Sequence, residues 1–310
     1  MSTRIAAIDV GTNSTKATLA DADRGAITIV REDSEVTRLG EGVDASGTLK
    51  PAAMDRTLTA IKRFADAARE GGATRIVAAG TSAMRDASNG PEFIQRISQE
   101  AGVQIEIITG DREAELAYQA IRSDSSLGLA PDLALLVFDI GGGSSELIVG
   151  EGSAVRAHQS LNIGAVRLTE RFLHGDPPTP AELDQASQYV VDKMEEFPLS
   201  PAPKAIAGIG GTAINVAAVA AHAAGNGDAE IHGASVTLAQ VDSVLELFTS
   251  RTTTERKSVP GLESARADVI IGGVLILREL LRRANVDRFV VSQRGLRYGL
   301  IAEAARLAGD

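Results

Sequence analysis

Two short segments carry the residue types that bind anions. Ile8-Asp9-Val10-Gly11-Thr12-Asn13-Ser14 and Phe138-Asp139-Ile140-Gly141-Gly142-Gly143-Ser144 lie 130 residues apart and share one pattern. In each, an apolar run ends on Asp, and glycine with hydroxyl or amide residues follows. Glycine lets backbone N–H groups approach an anion, and successive N–H groups form a nest for it. Ser and Thr add donors, and an Asp at a strand end can hold a cation or orient water. One such loop is explained by a tight hairpin; the pair argues for a phosphate chain clamped from both sides. A third motif, Gly208-Ile209-Gly210-Gly211-Thr212, opens a helix. Helix N-termini suit anions, and a plain strand-to-helix turn with a Thr cap fits it equally well.

The acidic residues suggest the chemistry. Glu146 follows Asp139 across the turn, so both can face one hard cation; Mg²⁺ takes carboxylates together with phosphate oxygens. Glu113 lies early in a helix after Thr109-Gly110. A carboxylate beside bound phosphate can position or deprotonate a water. Glu115, two positions on, faces elsewhere. A single helical Glu is ordinarily solvated or compensates the helix dipole. Arg85 stands on a polar loop, 81–89, and suits a bidentate phosphate contact there, although a plain surface loop explains it too. Arg256, Arg266, Arg294 and Arg297 are further candidate cations. The four histidines, His158, His174, His222 and His232, show no metal-ligand spacing.

The elements that must position these groups follow from periodicity and punctuation. Residues 4–9 read as a buried strand, 11–14 as a turn and 15–19 as the return strand. This is a strand–loop–strand, whereas a Rossmann motif or P-loop needs a helix after the loop. Residues 51–70 read as an amphipathic helix with Pro51 at its start and Gly71-Gly72 at its stop. Strands are expected at 75–79 and 103–108, and helices at 91–100 and 112–122. Residues 133–139 form a continuous apolar run, as in a strand buried on both faces, and 146–149 return from it. Thr179-Pro180-Ala181-Glu182 and Thr237-Leu238-Ala239-Gln240 are capping boxes. A strand at 204–209, helices at 266–283 and 296–307, and a strand at 287–292 complete the reading. The repeated loop implies a duplicated domain, with boundaries at 1–120 and 121–310 and the closing helix free to pack back on the first domain.

Composition bounds the rest. The chain has 310 residues, 44% hydrophobic and 23% charged, which suits a globular protein of about two domains. Without Cys, disulfides, thiolate nucleophiles and zinc–cysteine sites are excluded. Residues 1–250 hold 20 basic against 34 acidic side chains, net −14; residues 251–310 hold 11 against 7, net +4. The overall −10 argues against non-specific nucleic-acid binding. No signal-peptide pattern or membrane span is read, so a cytoplasmic protein is expected.

These motifs, taken in order, resemble the exopolyphosphatase / guanosine pentaphosphate phosphohydrolase family. Thr81-Ser82-Ala83-Met84-Arg85, Thr109-Gly110-Asp111-Arg112-Glu113-Ala114, His232-Gly233, Glu255-Arg256, Arg266-Ala267-Asp268 and Gly295-Leu296-Arg297-Tyr298-Gly299 join the three glycine motifs, and the resemblance spans essentially the whole chain. It implies an α/β, actin-like ATPase (ribonuclease H-like) fold, two related domains flanking a cleft. It implies Mg²⁺-dependent (or Mn²⁺-dependent) release of orthophosphate from inorganic polyphosphate or guanosine pentaphosphate. Glu113 matches the catalytic base, and Asp139 and Glu146 the residues that hold the metal or position water. Asp9, Gly11, Thr12, Asn13, Ser14, Arg85, Gly141, Gly142, Gly143, Ser144, Gly210, Gly211, Thr212 and Arg266 match phosphate binders. Many members carry a helical C-terminal domain; this chain resembles the short form, and a homodimer is expected from the family alone. An actin-like small-molecule kinase and a non-catalytic polyphosphate or alarmone sensor are the competing readings. Retention of Asp9, Glu113, Asp139 and Glu146 argues against the sensor.

Overall fold

The computed structural model describes residues 3–23 and 26–309. The chain forms two units, Met1–Ala120 with Arg294–Asp310, and Ile121–Gln293.

In the first unit, strands β1 (Thr3–Val10), β2 (Thr15–Asp23) and β3 (Ala26–Glu35) run antiparallel. Helices α1 (Val43–Ser46) and α2 (Pro51–Glu70) lead to β4 (Arg75–Gly80); α3 (Ser82–Asp86) and α4 (Gly90–Ala101) lead to β5 (Ile105–Ile107); α5 (Gly110–Arg122) follows. The sheet order is β3-β2-β1-β4-β5, with β1, β4 and β5 parallel. The stripe Leu58, Ile61, Phe64 and Ala65 of α2 is buried, as its 3.6-residue period requires.

The second unit repeats this order. Strands β6 (Ala134–Ile140), β7 (Ser145–Glu151) and β8 (Ala154–Leu161) are antiparallel. Helices α6 (Ala165–Phe172) and α7 (Pro180–Met194) precede β9 (Ala205–Ile209), and α8 (Gly210–Ala223) follows it. Then come β10 (Ser235–Thr237), α9 (Leu238–Thr249), α10 (Thr253–Arg256), α11 (Ile270–Ala284) and β11 (Arg288–Val291). The order β8-β7-β6-β9-β11 matches the first sheet strand for strand, with β10 added antiparallel at the edge. Three antiparallel strands followed by two parallel ones, twice over, is the actin-like ATPase topology in duplicate. The capping boxes at Thr179 and Thr237 are formed, and Thr252 with Glu255 makes a third.

Several features are not marked in the sequence pattern, among them α1, α6 and β10, and residues 82–86, read as part of a polar loop, form α3 and carry Arg85 on a short helix. Strands β3 and β8 alternate between exposed and half-buried residues, so neither shows a continuous apolar run. Helix α11 begins at Ile270, and Arg266 closes a separate 3-10 turn, Ser264–Arg266. The closing helix α12 (Leu296–Gly309) groups with the first unit, the option the sequence reading left open for it, and the second unit ends at Gln293. There Leu296, Leu300, Ile301 and Ala304 pack with Ile5, Ala7, Ala20 and Leu116. Arg112 pairs with Glu303, which ties α5 to α12. Among the described residues, no helix is long and apolar enough to cross a membrane.

Candidate active site

Parallel strands that end side by side deliver their following loops to one edge of the sheet, where ligands bind in open α/β sheets. In the first unit β1, β4 and β5 end at Val10, Gly80 and Ile107. The loop 11–14, the start of α3 and the start of α5 therefore gather at one edge.

The first loop is closed by Gly11 N–H donating to Ser14 O at 3.1 Å. Residues 37–40 then clasp it. Arg38 N–H donates to Asn13 O and Gly40 N–H to Thr12 O, both at 2.9 Å. Because each peptide is planar and trans, a carbonyl turned toward the clasp turns the next N–H away from it. The N–H groups of Asn13 and Ser14 are thus presented on the side opposite the clasp, as an anion nest requires. Thr12 Oγ1 bonds Ser82 Oγ at 2.8 Å and anchors the loop to α3. Arg38 holds φ 51°, an uncommon value for a residue with a side chain.

Asp9 stands directly across the strand pair from Lys16. Its Oδ1 and both amide atoms of Asn13 are out of contact with water and have no hydrogen-bond partner in the protein. Orphaned buried polar atoms are costly and call for an explanation; a bound ligand supplies one. Burial pushes the Asp9 carboxyl above its usual range, opposed by the charges of Lys16 and Arg297. Arg85 Nη1 donates to Ile108 O at 3.3 Å, two residues before α5. Glu113 lies in the first turn of α5 on the face of Leu116 and Ala117 and is only 9% exposed. Glu115 is 48% exposed and pairs with Arg112. The sequence contrast between the two glutamates is therefore visible in their burial.

The second unit builds the same device from other parts. Gly141 N–H donates to Ser144 O at 2.9 Å. The clasp here is the start of α6: Ala165 N–H donates to Gly141 O and Val166 N–H to Gly142 O, both at 2.9 Å. The N–H groups of Gly142 and Gly143 are directed away from α6 by the same peptide geometry. Gly164 packs against this loop so closely that a Cβ there would overlap the Gly142 carbonyl.

Asp139 and Glu146 are direct cross-strand partners, so both project from one face of the sheet. Glu146 is 2% exposed, and its Oε1 accepts from Ser144 Oγ at 2.7 Å and Ser160 Oγ at 2.9 Å. Gly210, at φ 80°, lies against the Asp139 carboxylate, in the space a side chain would need. The guanidinium of Arg266 fills the equivalent space at Gly211. Thr212 Oγ1 donates to Ile140 O at 3.2 Å, fastening the start of α8 to the end of β6. This unit thus brings Asp139, Ser144, Glu146, Gly210, Gly211, Thr212 and Arg266 together.

Two supporting residues carry no sequence signal. Asn215 donates to Gly211 O at 2.8 Å and accepts from Glu263 N–H at 2.7 Å, while Glu263 Oε2 accepts from Arg266 Nε at 2.6 Å. Asn215 therefore holds the Arg266 turn against α8. Gly164 matters only through the backbone it touches. Two adjacent carboxylates suit Mg²⁺, which binds through one or two carboxylates and takes its other oxygens from water and substrate phosphate. Among the described residues, no group of three or more His, Asp or Glu side chains is arranged to hold a metal by itself.

Known proteins resemble the chain over nearly its whole length. The chain is 36% identical to "Exopolyphosphatase 2" of Mycobacterium tuberculosis, over 99% of each chain. It superposes on the Aquifex aeolicus Ppx/GppA family member with TM-score 0.82 and 31% identity, covering 100% of both chains. An exopolyphosphatase structure from Cytophaga hutchinsonii gives TM-score 0.87 at 26% identity, covering 98% of both. The profile of the Ppx/GppA phosphatase family matches residues 18–307, and the chain belongs to that family of phosphate-releasing hydrolases.

Proposed function

We propose that this enzyme removes the terminal phosphate from inorganic polyphosphate, with Mg²⁺ as cofactor. The observation that carries the reading is the pair of clasped loops, each presenting peptide N–H groups beside a strand-end aspartate, Asp9 in one unit and Asp139 in the other. Such loops neutralise phosphate charge with fixed dipoles, which need no reorganisation during reaction. Arg85 and Arg266 add positive charge. Asp139 and Glu146 would hold Mg²⁺, which when bound neutralises charge on the phosphoryl oxygens. Glu113, buried in the first turn of α5, orients a water and takes its proton as the water attacks phosphorus. The leaving group is the shortened chain. Catalysis is then mainly positioning and electrostatics, as is usual for phosphoryl transfer.

The test is orthophosphate release with Mg²⁺ from short polyphosphate, long polyphosphate and guanosine pentaphosphate, with Glu113→Gln alongside. Loss of a water-orienting base should lower turnover about 10²–10⁴-fold while substrate still binds. Faster release from guanosine pentaphosphate than from either polyphosphate would move the substrate assignment to that nucleotide. Wild-type turnover in Glu113→Gln would remove Glu113 from the base role.

A further inference from the structure

One half-buried polar cluster has no part in the phosphate chemistry. It lies in the second unit, beside the two points where the chain passes between units, after Ala120 and after Gln293. His232 is its hub, with a side chain 11% exposed, against an Asp124 side chain 2% exposed. His232 Nδ1 accepts from Gln293 N–H at 3.2 Å. A ring nitrogen that accepts carries no proton, so this network assigns the proton of the neutral ring to Nε2. Nε2 lies 2.9 Å from Ser126 Oγ and 3.2 Å from Asp124 Oδ2. Ser126 Oγ donates to Asp124 Oδ1 at 2.5 Å, and Asp124 caps the 3-10 turn Ser125–Leu127.

Ser, His and Asp together suggest a nucleophilic relay, but the geometry excludes it. In a relay the carboxylate holds the ring nitrogen opposite the serine. Here Nε2 pairs with Ser126 while Asp124 only lies near it, on the side of the ring away from Nδ1; a peptide N–H occupies Nδ1, and the serine proton already goes to the carboxylate.

We propose instead that the His232 imidazole is a pin joining the two inter-unit crossings. One ring edge holds residues 124–126, just past the first crossing; the other holds Gln293, the last residue before the second. The main chain next to His232 is already fixed, since Gly233 N–H donates to Val291 O at 2.8 Å and Val291 N–H to Ala234 O at 2.9 Å. The imidazole is therefore a side-chain link between β11's end and the 3-10 turn. With the link made, the two crossings move as one hinge. Without it, each flexes separately, and the motion of one unit against the other gains freedom. Nothing in this depends on which phosphate compound is the substrate.

The cysteine-free chain allows a direct test. Ala52→Cys on α2 and Ser243→Cys on α9, both exposed, place one spin label in each unit of the full-length protein. Pulsed dipolar spectroscopy then reads the distribution of distances between them. His232→Ala should lose the narrow component of the parent distribution at a temperature well below unfolding. His232→Asn retains an acceptor for Gln293 but drops Ser126, and should broaden it too, as should Ser126→Ala, which removes the hydrogen bond at Nε2. Should His232→Ala not fold, His232→Asn carries the comparison. A lowered melting temperature with a distribution superimposable on the parent's, in either His232 variant, would show a merely structural histidine and overturn the proposal.

Discussion

Gly164→Ala tests whether the second loop is held by backbone contact. A Cβ at Gly164 would lie 2.6 Å from Gly143 N and closer still to the Gly142 carbonyl, whereas real Cβ contacts essentially never fall under 3.0 Å. The obstacle is the Gly142–Gly143 peptide itself, so no side chain can swing aside. The loop must retreat from α6 by at least a few tenths of an ångström. Three bonds resist that retreat: Ala165 N–H to Gly141 O at 2.9 Å, and Val166 and Arg167 N–H to Gly142 O at 2.9 and 3.2 Å. At about 0.5–1.5 kcal/mol each, weakening all three costs roughly 2–4 kcal/mol. A displacement approaching 1 Å at a catalytic surface costs on the order of 10²-fold in rate. The assay is orthophosphate release beside a thermal melt. Gly128→Ala is the control: φ is 63° there, but nothing lies within 4 Å of the new Cβ. It should cost about 1–2 kcal/mol of backbone strain and leave kcat/KM unchanged. If Gly164→Ala retained full activity, the close approach would not hold the loop in register, and the clasp argument would fail.

Other outcomes follow from the same contacts. Asn215→Ala leaves Gly211 O and Glu263 N–H without their partner, so stability should fall by about 1–3 kcal/mol, and KM should rise as the Arg266 turn loosens; an unchanged KM would separate Arg266 from substrate. Asp9→Asn should raise the melting temperature of the unliganded protein at neutral pH while lowering activity. The sign follows from burial, which holds the folded Asp9 pKa above its unfolded value: the charged form is penalised at neutral pH, and the gain should vanish as pH falls below the ordinary carboxylate range. Glu182 behaves oppositely. Hydrogen bonds from Thr179, with backbone donors at Gly175 and His174, lower its pKa to about 2. Its contribution is complete above the ordinary glutamate value and is lost as pH falls toward about 2. Glu182→Gln should therefore destabilise the protein at pH 6 more than at pH 3; equal losses would contradict the assignment.

The repeated loop was legible because its chemistry is written in side chains: Asp9 and Asp139 each end an apolar run, and glycine follows each. That pattern located both hairpins and, through them, the duplication. The clasps were not legible, because residues 37–40 and 164–167 act through backbone N–H groups that any residue except proline possesses. Gly164 and Asn215 escaped notice for related reasons: one works by lacking a side chain, the other by spanning two segments brought together only in the fold. Strands β3 and β8 were missed because their mixed exposure blurs the alternation that marks a strand. The place of the closing helix stayed open because chain continuity and packing disagree at Gln293: the last helix follows the second unit in sequence but buries Leu296, Leu300 and Ile301 in the other.

That last helix has a consequence for synthesis on the ribosome. Domains usually fold in the order in which they emerge, the N-terminal one first. Here the second unit is one continuous stretch, 121–293, and can close its core as soon as it emerges. The first unit must wait for α12, because Ile5, Ala7 and Ala20 share a core with residues made about 290 positions later. The earlier-made half therefore finishes second, and until it does β1 and β2 lack part of their apolar cover, the interval in which a nascent chain most needs protection from aggregation.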